Sequence, residues 1–331
     1  MSLATRYMGL ELANPVIVSS SGLTGSVEGI VRCAEAGAGA IVVKSLYEEQ
    51  IHAEADAVLE RSHFPTGYPE GRDHLELYSQ EQAFERYLKL IREAKEAVSI
   101  PVIASVHCVS ASGWTEYTRR IQAAGADALE LNVFVLPMDI EREPRAYEKL
   151  YLDIVEGVRR NVSVPLALKI GPYFSGLAHT ALELSWRVDA LVLFNRFYRL
   201  DIDIEELRVV PAEPFSDPQE CVIPMRWIAI LAGQIECDLA ASTGVHDGAG
   251  VVKQLLAGAT AVQVCSALYR HQDIGYLRTI LEEVTDWMAR HGFARVADFR
   301  GLLSQAKNTD PHAFERVQFM RETADRGLKS S

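Results

Sequence analysis

AEAGAGAIVVKS (residues 34–45), QAAGADALELNV (122–133) and LLAGATAVQVCS (255–266) are three versions of one pattern. In each, a helix ends, small residues with a glycine make the turn, and a short apolar strand follows that stops at a polar or small residue. A helix that feeds a buried strand through so short a turn is half of a βα repeat, since parallel strands are joined by crossover helices. Further runs of the same kind bring the expected strands to eight: Val16–Ser19, Ala40–Lys44, Val102–Val106, Ala128–Asn132, Leu166–Ile170, Ala190–Phe194, Leu239–Ser242 and Ala261–Cys265. They lack polar alternation, as strands covered on both faces do.

Helical patterns separate them, at about 27–37, 78–98, 113–124, 144–160, 176–187, 224–234, 248–257 and 272–290. Pro15, Pro101 and Pro165 stand at strand entries, where a missing N–H is tolerated. Eight strands alternating with eight helices predict an α/β fold, a (β/α)8 TIM barrel. A doubly wound open sheet ranks behind it, because no GxGxxG follows the first strand. Two connections, 46–77 and 195–223, are long and read as loops over the C-terminal face, where barrels place their sites. The expected organisation is one barrel domain over 1–331, with an added helical tail at about 292–331 that includes a helix over Val296–Ala306.

The chain has 331 residues, 48% of them hydrophobic, and a formal net charge of −12. That charge argues against a nucleic-acid surface. Cys33, Cys108, Cys221, Cys237 and Cys265 are an odd, scattered set with no CxxC, which reads as reduced thiols of a cytoplasmic protein, with no metal or iron–sulfur site. No apolar run reaches the roughly 20 residues of a membrane helix, and the first residues lack a signal-peptide pattern. The expected partner is a small anionic substrate, without nucleic acid or membrane; a homodimer is compatible with the sequence.

The strand ends suggest the chemistry. Lys44 and Lys169 each finish an apolar strand, and a buried ammonium needs a partner. Pairing with a carboxylate is the plain reading of one such lysine; two of them at the barrel mouth favour an anionic ligand. Thr243 and Gly244 follow the seventh strand, and Cys265 and Ser266 the eighth. Small residues there let backbone N–H groups approach a phosphate. Ser20, Ser21 and Gly22 end the first strand, Asn132 the fourth, and Asn195 with Arg196 the sixth. A carboxamide at a strand end can pair with the edge of a flat heterocycle.

ANPVIVSSSG, GAGAIVVKS, ADALELN, PLALKIGPYF, LVLFNRFY and STGVHDGAGVVKQLLAGATAVQVCSALY, in this order, resemble the dihydroorotate dehydrogenase family of the cytosolic, FMN-dependent type. The resemblance runs from about Leu10 to Tyr269 and implies FMN. It implies Ser20, Ser21 and Gly22 against the flavin, Lys44 and Ser45 near its ring and ribityl chain, and Lys169 at the N1/C2 edge. It further implies Asn132 at the ring or substrate, and Thr243, Gly244, Cys265 and Ser266 around the phosphate. Lys169, Asn132, Asn195 and Arg196 form the expected catalytic set.

The loop after the fourth strand departs from the family. Its run is Asn132-Val133-Phe134-Val135-Leu136-Pro137 where the family carries an N-x-S-C-P-N-like run. Val135 falls on the Cys/Ser base and cannot accept a proton; Pro137 falls on the second Asn. Arg196 stands where a small hydroxyl residue is usual. Substitute bases to consider are Asp139, His107, Cys108, Tyr173, Ser175, His52, His63 and His74. The expected function is dihydroorotate dehydrogenase-like oxidation in pyrimidine biosynthesis, with a substrate that can differ. The alternatives are a flavin- or phosphate-binding barrel without redox turnover, and a non-flavin aldolase or isomerase using Lys169 as a Schiff base.

Overall fold

The structure is a computed structural model that describes residues 1–61, 69–196, 199–308 and 314. In chain order it runs β1 (Thr5–Tyr7), β2 (Leu10–Leu12), β3 (Val16–Val18), α1 (Val27–Glu35), β4 (Ala40–Val42), β5 (Leu46–Tyr47), α2 (Glu48–Arg61) and α3 (Pro69–Ala97). Then come β6 (Val102–His107), α4 (Ala111–Ala123), β7 (Ala128–Asn132), α5 (Pro144–Arg159), β8 (Leu166–Ile170), α6 (Leu177–Ser185) and β9 (Ala190–Leu193). The chain continues through β10 (Leu200–Asp203), β11 (Arg208–Pro211), α7 (Val222–Leu231), β12 (Asp238–Ala241), α8 (Gly248–Ala257), β13 (Ala261–Val264), α9 (Ser266–His271) and α10 (Tyr276–His291).

Strands β3, β4, β6, β7, β8, β9, β12 and β13 pair in parallel in that order, and β13 returns to β3 with Val262 opposite Val16. The sheet is therefore closed: a (β/α)8 barrel, with its strands where the apolar runs predict them. Alternate side chains of a barrel strand face the lumen. The lumen floor is small and apolar, built from Ile17, Ala40, Ile103, Ala128, Ala167, Ala190, Ala240 and Ala261. Tyr7, Met8 and Leu12 of the β1–β2 hairpin pack into the same cluster and cap the N-terminal end. The Met8 N–H donates to Asp238 Oδ2 at 2.8 Å, fixing this cap to β12. Two residues further along the same strands the lumen turns polar, with Ser19, Ser105, Glu130, Lys169 and Gln263 all buried. Two residues further again, Ser21, His107, Asn132 and Cys265 form the half-buried rim.

Several expectations are corrected. The described residues of the connection over 46–77 are mostly helical rather than a loop. Pro69, read as a loop residue, is the first residue of α3, where its missing N–H costs nothing. Phe84, Tyr87, Leu88 and Ile91 of that helix are buried at helical spacing. The connection after β9 carries the antiparallel pair β10–β11. The helix expected at 272–290 is present as α10, and a short helix that was not expected, α9, precedes it and ends at Gln272 with φ 52°. The helix expected over Val296–Ala306 is a 3-10 turn at Val296–Asp298 followed by turns. The rest of the expected tail, apart from Phe314, lies outside the described residues.

Candidate active site at the barrel mouth

Lys169 is 7% exposed in the polar layer of the lumen. Its Nζ donates to Gln263 Oε1 at 2.7 Å and Ser19 Oγ at 3.2 Å, and lies 3.7 Å from Glu130 Oε1. Gln263 Nε2 donates in turn to Glu130 Oε2. A buried ammonium is tolerable only with such compensation. The plain reading of a strand-end lysine therefore holds for Lys169: it has a carboxylate partner. The opposite charges leave the pair neutral as a unit, with the ammonium just beneath the rim.

On the rim above it, Asn195 Nδ2 donates to Asn132 Oδ1 at 2.6 Å, joining the ends of β9 and β7. Asn132 Nδ2 lies 3.5 Å from the Tyr47 hydroxyl. His107 Nδ1 lies 2.6 Å from the Asn132 carbonyl oxygen, and its Nε2 lies 3.4 Å from Glu49 Oε1. The hydroxyls of Ser20, Ser45 and Ser105 form a chain, at 2.9 Å between Ser20 and Ser45 and 2.7 Å between Ser45 and Ser105. Burial pushes the Tyr47 hydroxyl above its ordinary pKa of 10.0, so it stands as a hydrogen-bond donor. Sequence reasoning missed Tyr47 and Glu49; both belong to the connection read as a loop, and it is the pairing of β5 with the end of β6 that places Tyr47, and the first turn of α2 that places Glu49.

At the opposite side, Thr243 has φ 80° and Gly244 φ 77°. A β-branched residue in that region is strained; here the Thr243 hydroxyl donates to the Phe194 carbonyl at 3.1 Å. The Gly244 N–H donates to Ser216 Oγ at 3.3 Å, and the Ser266 hydroxyl accepts from the Ser216 N–H at 3.0 Å. Two groups expected to face a phosphate thus hold Ser216, a residue the sequence reading did not single out. His246 Nε2 lies 3.1 Å from the Ser216 hydroxyl. Burial, then the Arg270 cation, lowers the His246 pKa and keeps the ring neutral. Gly22 lies under Tyr269: a Cβ there would sit 2.8 Å from its hydroxyl oxygen.

Other expected residues stand elsewhere. Arg196, expected as a substrate cation, is engaged by Glu220 (Nε to Oε2, 3.1 Å) and by the carbonyls of Pro214 (2.8 Å) and Glu213 (3.2 Å). It braces its own loop. Lys44 is exposed and lines a cleft of about 240 Å3 with Ser45, Tyr47, Glu54 and Arg86. Among the substitute bases, burial pushes the Cys108 thiol far up, with Glu48 and Glu49 adding to it, so it is no thiolate. Asp139, Tyr173 and Ser175 are exposed, and His52 of α2 pairs with Gln80 of α3. His63 lies outside the described residues, as does the side chain of His74.

Glu48 fixes the helix that carries Glu49. Its carboxylate accepts from the N–H groups of Val109 (2.6 Å) and Ser110 (2.9 Å) and from the Ser110 hydroxyl (2.6 Å). Burial alone would raise its pKa, but the bonds from Ser110 and Val109 outweigh that and hold it below 4.5. A folded-state value below the unfolded one means stability that is present above about pH 4.3 and lost as pH falls through the folded value. Glu48→Gln is expected to cost about 1–3 kcal/mol at pH 7, because donors lose a charged acceptor. Urea titrations at pH 7 and at a series of pH values below about 4.3 check this: the gap between variant and wild type narrows as pH falls. A gap that stays constant with pH would show that the carboxylate is not what holds α2.

The fold and mouth define a class: a parallel (β/α)8 barrel with a buried lysine, paired carboxamides and a hydroxyl chain at its C-terminal end. A family model described as dihydroorotate dehydrogenase matches residues 78–288, and the chain belongs to that family. The catalytic subunit of dihydroorotate dehydrogenase B (NAD(+)) from Thermoplasma volcanium is 25% identical over 311 residues, covering 91% of this chain and 98% of that protein. The corresponding subunit from Pyrococcus furiosus is 25% identical over 312 residues, covering 91% and 99%. Chloroplastic dihydropyrimidine dehydrogenase (NADP(+)) from Arabidopsis thaliana is 25% identical over 365 residues, covering 99% and 84%. The chain is a dihydroorotate dehydrogenase-like oxidoreductase. No helix among the described residues is long and apolar enough to cross a membrane.

Proposed function

We propose that this protein is an FMN-dependent oxidoreductase that removes two hydrogens from the CH–CH bond of a small, flat, anionic ring of the reduced-pyrimidine class. The observation that carries the reading is Lys169, an ammonium buried just under the Asn132–Asn195 rim. The donor set suits a flavin. Lys169 supplies a cation at the carbonyl edge of the ring, favouring negative charge there. Asn132 and Asn195 supply carboxamides, and Ser20, Ser21 and Ser45 hydroxyls; Gly22 keeps the approach clear. Thr243, Gly244, Cys265 and Ser266 would hold the phosphate end, with Ser216 among them. FMN, when bound, supplies the hydride acceptor. Relatives named for dihydroorotate and for dihydropyrimidine support the substrate class.

The test is an absorption spectrum of the purified protein, release and identification of the chromophore, and anaerobic addition of L-dihydroorotate or dihydrouracil. Bound FMN that bleaches with either is the expected result. A colourless protein that FMN cannot reconstitute would sink the reading. FMN that neither compound bleaches would favour binding without turnover, the reading that Val135 supports.

A further inference from the structure

His107 ends β6, one strand from the loop that carries Val135. The two residues line the same cavity of about 430 Å3, which runs from the strand ends outward between α4 and α5 and is lined also by Trp114, Val133, Asp153 and Ile154. Val135 offers no atom that can hold a proton; the imidazole does. A carbonyl oxygen can only accept, so at 2.6 Å from the Asn132 carbonyl it is His107 Nδ1 that carries the hydrogen. The lone pair then falls on Nε2. Glu49 Oε1, 3.4 Å from Nε2, is beyond a normal N–H···O length yet close enough to stabilise a positive ring. Asp153 of α5 is a second carboxylate lining the same cavity, and the groups packed on the ring itself are uncharged. They are the Tyr47 and Trp114 rings at 5.4 Å and 6.1 Å and the neutral Cys108 thiol. Glu48 is spent on Val109 and Ser110.

We propose that His107 is the proton acceptor of this protein, in place of the side chain missing at Val135, with Glu49 stabilising the imidazolium. The inference rests on the function proposed above. His107 Nε2 takes one hydrogen of the CH–CH unit as a proton, and the electron pair of that C–H bond becomes the new C=C bond. The adjacent hydrogen leaves as hydride, with its own electron pair, to the oxidised flavin. The imidazolium returns its proton to solvent.

The test compares wild type, His107→Gln and His107→Gln/Val135→Cys, each loaded with FMN. Single-turnover reduction by L-dihydroorotate and dihydrouracil is followed across pH, and the orotate and uracil Kd are measured by calorimetry. His107→Gln is expected to slow reduction about 10²–10⁴-fold, the usual share of a general base. It should also abolish the loss of rate towards acid, while each Kd stays within about threefold, roughly half a tenfold step in affinity. The double variant should regain rate, with a profile displaced towards alkali, where the Cys thiol ionises. Wild type that neither compound reduces would overturn the proposed function and this inference with it. Wild type that is reduced, beside a His107→Gln of equal rate and profile, would overturn the inference alone. So would a His107→Gln that loses product binding in step with rate, since His107 would then be a positioning residue.

Discussion

Lys169→Met lowers the unfolding free energy by about 3–5 kcal/mol, the cost of leaving one member of a buried ion pair alone. The side chains of Lys169 and Glu130 are 9% and 2% exposed, so water cannot take over the lost partner. Glu130 Oε1 accepts no hydrogen bond, and the ammonium at 3.7 Å is its compensation. Adding Glu130→Gln removes the stranded charge and restores most of the stability. Replacing a buried pair by neutral groups of similar volume is often close to neutral. Urea denaturation of both single variants and the double variant checks this as a thermodynamic cycle. Single variants within about 1 kcal/mol of wild type would mean that the pair is worth no more than a surface one. The same variant tests function by another route. A flavin potential unchanged by Lys169→Met would remove the main support for redox chemistry at this mouth.

Gly244→Ala carries the second large effect. Gly244 has φ 77°, where an L side chain costs about 1–2 kcal/mol. The added Cβ would also stand 2.2 Å from the Cys221 amide nitrogen and 2.7 Å from the Glu220 carbonyl carbon, both of them backbone. Overpacking of this kind costs about 1–3 kcal/mol more, because backbone cannot swing aside as a flexible side chain does. The expected loss is therefore about 2–5 kcal/mol. The segment displaced is the one beside Ser216, which holds the Gly244 amide and the Ser266 hydroxyl. FMN affinity should fall with stability. Gly125→Ala is the control: it sits at φ 97° with open space around its Cβ, so it isolates the conformational cost. Thermal unfolding and FMN titration of both variants give the comparison. Equal losses at the two positions would show that contact with Glu220 and Cys221 contributes nothing.

The strands were legible because a parallel barrel strand is covered on both faces and is mostly apolar, as AIVVKS, ALELN and AVQVCS show, although Glu130 and Gln263 within them gave no sign in the sequence of the polar layer they form in the lumen. Their polar ends were legible for the same reason: Lys169, Asn132 and Asn195 interrupt a run that burial otherwise keeps apolar. The connection over 46–77 was not legible. Pro69 and Gly71 break the helical pattern in the sequence, yet proline at the first position of α3 is compatible with a helix, and burial of Phe84 and Ile91 on α3 overrides the punctuation.

Sequence by itself determined the closed eight-stranded barrel, because the strands follow from local residue type and periodicity; that Val135 stands where the family carries its base is what the resemblance implies. Only the tertiary structure decided how the charges are used. Glu130 lies 39 positions before Lys169, Glu220 lies 24 after Arg196, and Glu49 lies 58 before His107. Which cation is neutralised within the lumen, which braces a loop and which imidazole meets a carboxylate depend on barrel closure and on where α2 docks, and no local pattern encodes distances between residues so far apart in the chain.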